Sequence, residues 1–112
     1  MGLRVTFAAL GFVAALVGCT EATKAVDEVA RRSAKAAVAE TLTTRFPLVP
    51  KAVVTPSTDC IIDNASGIEI RQFAKAAVVG ANDTTVALIS DILGRPATQQ
   101  CAGKASLAAL AG

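Results

Sequence analysis

Two kinds of apolar pattern divide the chain. From Phe7 to Val17 no polar side chain occurs, and the run is interrupted only by Gly11. After residue 20 the apolar positions recur every third or fourth residue, the spacing of one face of an α-helix. Glu21 to about Arg45 reads as one long helix. Thr20 can cap its start, and Glu21 suits the positive end of the helix dipole. Lys24, Asp27, Glu28, Arg31, Arg32 and Lys35 form a charged face, with Asp27–Arg31 and Glu28–Arg32 as acid-before-base pairs four residues apart. Opposite them stand Ala22, Val26, Val29, Ser33, Ala36 and Ala37. Past Lys35 the stripe shifts to Ala34, Val38, Leu42 and Phe46. The helix is therefore expected to bury two different faces, the second and bulkier one seated on a core. Pro47 ends it, because the residue before a proline avoids the helical region.

Pro47, Pro50 and Pro56 fall close together, so residues 47–58 are expected to be a Pro-rich extended loop. Lys51 to Thr55 is β-prone but short and has no partner strand, so it too reads as extended coil. Thr58 or Asp59 then caps a short helical turn through Cys60, Ile61 and Ile62. The next helix begins at Asn64 or Ser66, since Ser66-Gly-Ile-Glu69 matches a capping box. Ile68, Phe73, Ala76, Ala77 and Val79 give it an apolar side, and Gly80 stops it. Asn82 or Asp83 caps a helix carrying Val86, Ile89, Ile92 and Leu93, stopped by Gly94. Pro96 can open a further helix through Cys101, which Ala105 to Leu110 extends or follows. The expected fold class is all-α: a long N-terminal helix plus three or four short helices, tied by one disulfide. The expected divisions are a signal segment over 1–18, the long helix over 19–46, the loop over 47–58 and a small helical domain over 59–112.

The N-terminal run has a distinct chemistry. Arg4 precedes it, and Leu16, Val17, Gly18 and Cys19 close it. Basic, apolar and small residues in that order are what export machinery reads. The run spans 11 residues, short of the roughly 20 needed to cross a bilayer as a retained helix. With Leu16-Val17-Gly18-Cys19 in the place of a lipobox, the segment resembles the precursors of bacterial lipoproteins. The resemblance implies a diacylglyceryl thioether on the Cys19 sulfur, cleavage before Cys19, and acylation of the new amine. It also implies a partner, the membrane, reached through the lipid anchor, and a location in the bacterial cell envelope. Thr20, not Asp, follows the cysteine; in a Gram-negative cell this implies the periplasmic face of the outer membrane.

Lipidation of Cys19 leaves Cys60 and Cys101 of the three cysteines. An even number in an oxidising compartment makes a disulfide the default. A metal site would want more ligands, and a redox pair would be spaced Cys-x-x-Cys.

Composition narrows the chemistry. The chain has no histidine, tyrosine or tryptophan, which removes the commonest general base and the commonest metal ligand. Among possible carboxylate pairs, Asp59 and Asp63 stand four apart, and Asp83 and Asp91 eight apart; such residues read as caps and solvated surface. No Gly-rich phosphate loop occurs. Beyond Arg31-Arg32 no segment gathers like charge, so a basic nucleic-acid surface is not expected. No catalytic residue, cofactor or metal is expected, and the chain reads as a non-enzyme. Asp63, Asn64 and Arg71 are the residues singled out as a contact surface for an envelope protein.

Three functional readings follow. The first is a lipid-anchored envelope protein with a structural or protein-interaction role. The second is a small disulfide-bonded periplasmic chaperone or inhibitor, similar in architecture alone to the acid-stress chaperones of the periplasm. The third is an enzyme or enzyme subunit. The stretch Asp59-Cys60-Ile-Ile-Asp63-Asn64-Ala65-Ser66 resembles small uncharacterised lipoproteins of alphaproteobacteria, some of which carry a succinate dehydrogenase label. These residues supply no dinucleotide fold, no flavin-linking histidine and no iron–sulfur cysteine set to support that label.

Overall fold

A computed structural model describes residues 27–111. Among them are five α-helices and no strand: α1 over 27–45, α2 Lys51–Asp63, α3 Gly67–Val79, α4 Asp83–Leu93 and α5 Pro96–Ala111. The expected start of α1 at Glu21, and Cys19 with the segment before it, lie outside the described residues.

Polar contacts fix how the helices run. Arg31 meets Asp63 and Lys35 meets Asp59, so one turn forward along α1 is one turn back along α2. These two helices are antiparallel. Arg95, just before α5, donates to the carbonyl of Asn64, just after α2. Further along, the Cys60–Cys101 disulfide joins the same pair with its Cα atoms 5.6 Å apart. Thus α5 is antiparallel to α2 and packs closely against it. Arg45 at the end of α1 reaches Asp83 at the start of α4, while Arg95 beyond the end of α4 reaches Glu69 in the first turn of α3. The helices alternate up and down. One end of the bundle carries the start of the described α1 with turns 64–66 and 94–95; the far end carries turns 46–50 and 80–82.

The interior is drawn from four helices. Ala34, Val38 and Leu42 of α1 pack with Ile61 and Ile62 of α2, Ile70 and Phe73 of α3, and Ile89 and Ile92 of α4. Phe46 and Leu93 close the margins, half-buried. The stripe Ala34, Val38, Leu42 is where the four-residue spacing put it. The other expected face, the small-residue one running from Ala22 to Ala37, is not a buried stripe within the described part of α1: Val29 is 62% exposed and Ala36 is exposed, although Ala37 is buried. The reason is angular: Val29 and Ala36 lie on the far side of the helix from Val38 in the inward stripe.

The extended loop expected over 47–58 is overturned. Only residues 46–50 form a turn, and α2 begins at Lys51 with Pro50 as its N-cap and Pro56 inside it. A proline in a helix removes one backbone hydrogen bond and costs about 3 kcal/mol. Here it stands early in the helix, and Ala52, whose carbonyl loses its donor, is exposed to water. Burial outweighs the loss. Val53, Ser57, Cys60 and Ile61 recur at helical spacing and are all buried. The expected short turn at Cys60–Ile62 is the last part of this longer helix.

In α3 the capping box forms as expected: the Glu69 N–H donates to Ser66 Oγ at 3.2 Å, and the Ser66 N–H donates to Glu69 Oε1 at 2.8 Å. Gly80 ends the helix at φ 93°, a backbone region that disfavours any side chain. The apolar side is shifted from the expected one. Phe73 and Ala76 are buried, but Ile68 and Val79 are 69% and 68% exposed and Ile70 takes the inward place. With Phe73 as the inward anchor, Ile70 lies three residues back on its face, whereas Ile68 lies five back and points elsewhere. In α4 Asn82 is the cap, its Oδ1 accepting from the Thr85 N–H. Gly94 ends α4 in right-handed geometry, so no left-handed glycine is needed there. Helix α5 is continuous from Pro96 to Ala111, so Ala105 to Leu110 extends it.

Two stability predictions arise from this packing. Gly103 sits inside α5 with ordinary φ, and a Cβ there would meet no atom within 4 Å. Gly103→Ala is expected to stabilise the fold by about 0.5–1 kcal/mol through reduced freedom of the unfolded chain. A thermal melt should shift upward by roughly 4 °C; a downward shift would contradict the helical placement of residue 103. Thr98 is fully buried, and its Oγ1 has no hydrogen-bond partner among the described residues. Thr98→Val keeps the shape and removes the unpaired hydroxyl, so a gain of about 1 kcal/mol is expected in denaturant unfolding. Thr41, equally buried, donates from Oγ1 to the Ala37 carbonyl at 2.7 Å, and Thr41→Val should bring no such gain.

Candidate functional site

The residues singled out from sequence meet at one end of the bundle, around the turn between α2 and α3. Asp63, the last residue of α2, accepts from Arg31 Nη2 at 2.9 Å. Asn64 caps the same helix, its Nδ2 donating to the Cys60 carbonyl at 2.8 Å, and its own carbonyl accepts from Arg95 Nη1 at 2.8 Å. Both are thereby occupied in holding helices together. Arg71, one turn into α3, is exposed and makes no ion pair or side-chain hydrogen bond among the described residues.

The carboxylate pairs are divided among cations. Asp59 is taken by Lys35 at 3.0 Å and Asp63 by Arg31, a two-rung ladder between α1 and α2. Asp83 pairs with Arg45 at 2.7 Å and Asp91 with Arg95 at 2.9 Å, at opposite ends of α4. Neither pair brings two carboxylates to one reacting point, and no group of three potential metal ligands occurs among the described residues.

Arg95 is the polar centre of this end, and the sequence reading did not single it out. Its guanidinium donates to Glu69 Oε1 at 2.9 Å and Oε2 at 2.6 Å, to Asp91 Oδ2 at 2.9 Å and to the Asn64 carbonyl. One side chain so ties the end of α2, the start of α3, the last turn of α4 and the start of α5. Glu69 is mostly buried, with 16% of its side chain exposed. The Arg95 hydrogen bonds, then the Ser66 N–H, hold its carboxyl down at about 2 against a raising effect of burial. Arg95 is pushed up, chiefly by its hydrogen bonds to Glu69 and Asp91. The local sequence hides this cluster, because Arg95 finds Glu69 and Asn64 across 26 and 31 residues.

Beside the cluster, Arg71 and Arg31 line an open cleft of about 660 Å³ between the first turns of α1 and α3, together with Asp27, Ala30, Ala65 and Ile70. A smaller groove of about 230 Å³ lies between α3 and α4 over Phe73, Ala76 and Leu88. No helix among the described residues is long and apolar enough to cross a membrane. No protein family, curated protein or solved structure matches the chain.

Proposed function

We propose that this protein is a lipid-anchored component of the bacterial envelope with a structural or protein-interaction role, held through Cys19 to the periplasmic face of the outer membrane. The observation that carries the reading is the order Arg4, the apolar run Phe7–Val17, then Leu16-Val17-Gly18-Cys19. The Cys60–Cys101 disulfide supports it, because such bridges persist in oxidising compartments and the bridge leaves Cys19 as the third cysteine. Diacylglyceryl and N-acyl chains together exceed the marginal hold of a single chain, so the anchoring is stable. The test is fractionation of the full precursor in a Gram-negative host. Wild-type protein is expected in the membrane fraction and labelled with palmitate, and Cys19→Ala without label, whether or not its apolar leader keeps it on the membrane. Equal labelling of both, or none of the wild type, would contradict the anchor.

A further inference from the structure

The cleft between α1 and α3 has a chemistry that the helix-packing contacts leave unused. Ala30, Ala65 and Ile70 make its apolar part, and Arg31 and Arg71 supply two guanidinium groups. Arg31 spends Nη2 on Asp63 and retains further N–H donors, while Arg71 has no partner among the described residues. Planar guanidinium groups beside an apolar wall suit an anionic phosphate carried on a hydrocarbon body. Position adds the second argument. Asp27, the first described residue, itself lines the cleft, and it stands eight positions after Cys19. Covalent geometry limits that span to about 29 Å, even fully extended. A tether so short gives an effective headgroup concentration in the millimolar range, so weak intrinsic affinity suffices for occupancy.

We propose that this cleft binds the phosphate of a phospholipid headgroup from the membrane that holds the anchor. Arg71 and Arg31 hold the phosphate, and Ala30, Ala65 and Ile70 face the glycerol and first acyl carbons. The source of the ligand rests on reading Cys19 as the anchor; the chemistry of the cleft does not. Asp27 is the carboxylate in the lining among the described residues, and it opposes the anion.

The test uses the full mature chain in neutral maltoside micelles at fixed ionic strength, with two probes, inorganic phosphate and dihexanoyl phosphatidylglycerol. Arginine Nε–Hε resonances are the readout. Both probes are expected to shift Arg71 and Arg31 and to leave Arg32, which is outside the cleft, unmoved. The lipid should bind about tenfold more tightly than inorganic phosphate, reflecting its apolar part. Arg71→Gln, at an exposed position that holds no contact in the fold, should weaken both probes about tenfold by loss of charge-assisted bonds. Asp27→Asn should strengthen both. Equal affinity for the two probes would overturn the lipid assignment and leave a free-anion site. Uniform shifts of all arginines, or Arg71→Gln binding like wild type, would overturn the cleft itself. Arg71-dependent lipid binding by a chain whose intact mass carries no acyl group would support the cleft and overturn the anchor.

Discussion

Loss of the Cys60–Cys101 bridge is expected to lower the unfolding free energy by about 4 kcal/mol. The two cysteines are 41 residues apart, and closing a loop of that length removes conformational freedom from the unfolded chain by about that amount on the chain-entropy account. A small domain of this kind holds only about 5–15 kcal/mol in total, so the bridge is a large share of its stability. The double variant Cys60→Ala with Cys101→Ala is preferable to serine, because Cys60 is 2% exposed and a hydroxyl there would be buried. Urea unfolding of the wild-type protein, oxidised and reduced, and of the double variant is the measurement. Reduced wild type and the double variant should agree and both fall well below the oxidised protein. A difference under 1 kcal/mol would show that the α2–α5 packing holds without the bond.

The second large effect is at Glu69. Glu69→Gln keeps the size and one acceptor for the Ser66 N–H, but presents an amide and no charge to Arg95. A charge-assisted pair that is mostly buried on the carboxylate side is expected to be worth about 2 kcal/mol, discounted for the solvent reaching Arg95. The pH dependence has a definite sign. Glu69 has its folded pKa depressed to about 2 from an ordinary 4.5, so its contribution is fully present above pH 4.5. It is lost as pH falls from there through about 2. Wild type should therefore lose more stability than Glu69→Gln over that window, and the two curves should converge near pH 2. Parallel curves from pH 5 to 2 would contradict the assignment of the shifted carboxyl to Glu69.

What could be read from the sequence was whatever is decided within a few residues. The box Ser66 to Glu69 and the cap at Asn82 or Asp83 depend on groups three positions apart, and the stop at Gly80 on its own backbone freedom; all three form, the cap at Asn82. The disulfide was legible because, with Cys19 read as the lipid site, the two cysteines left permit one intramolecular pairing. The error over 47–58 came from weighing each proline as a breaker. Pro50 serves as a cap and Pro56 is carried by the buried stripe Val53, Ser57, Cys60 and Ile61, a helical spacing that was present in the sequence. Ile68 was placed inside because isoleucine is apolar; its angle around α3 relative to Phe73 puts Ile70 there instead.

The site was less legible than the fold. Asp63 and Asn64 were singled out for polarity in a connecting segment, and each is bound to a partner that lies far along the chain, Arg31 and Arg95. Arg71 is the residue of the three that remains open to a ligand, and its companion Arg31 comes from a different helix. Such convergence depends on how α1 and α3 lie beside each other, which the local pattern does not encode.

The central claim is one exported chain carrying lipid on Cys19 and a disulfide between Cys60 and Cys101. Intact mass spectrometry of membrane-fraction protein, before and after reduction, tests it most directly. The account predicts the mass of residues 19–112 plus three acyl chains, heavier by two hydrogens after reduction. An unacylated mass, or one that reduction leaves unchanged, would contradict it.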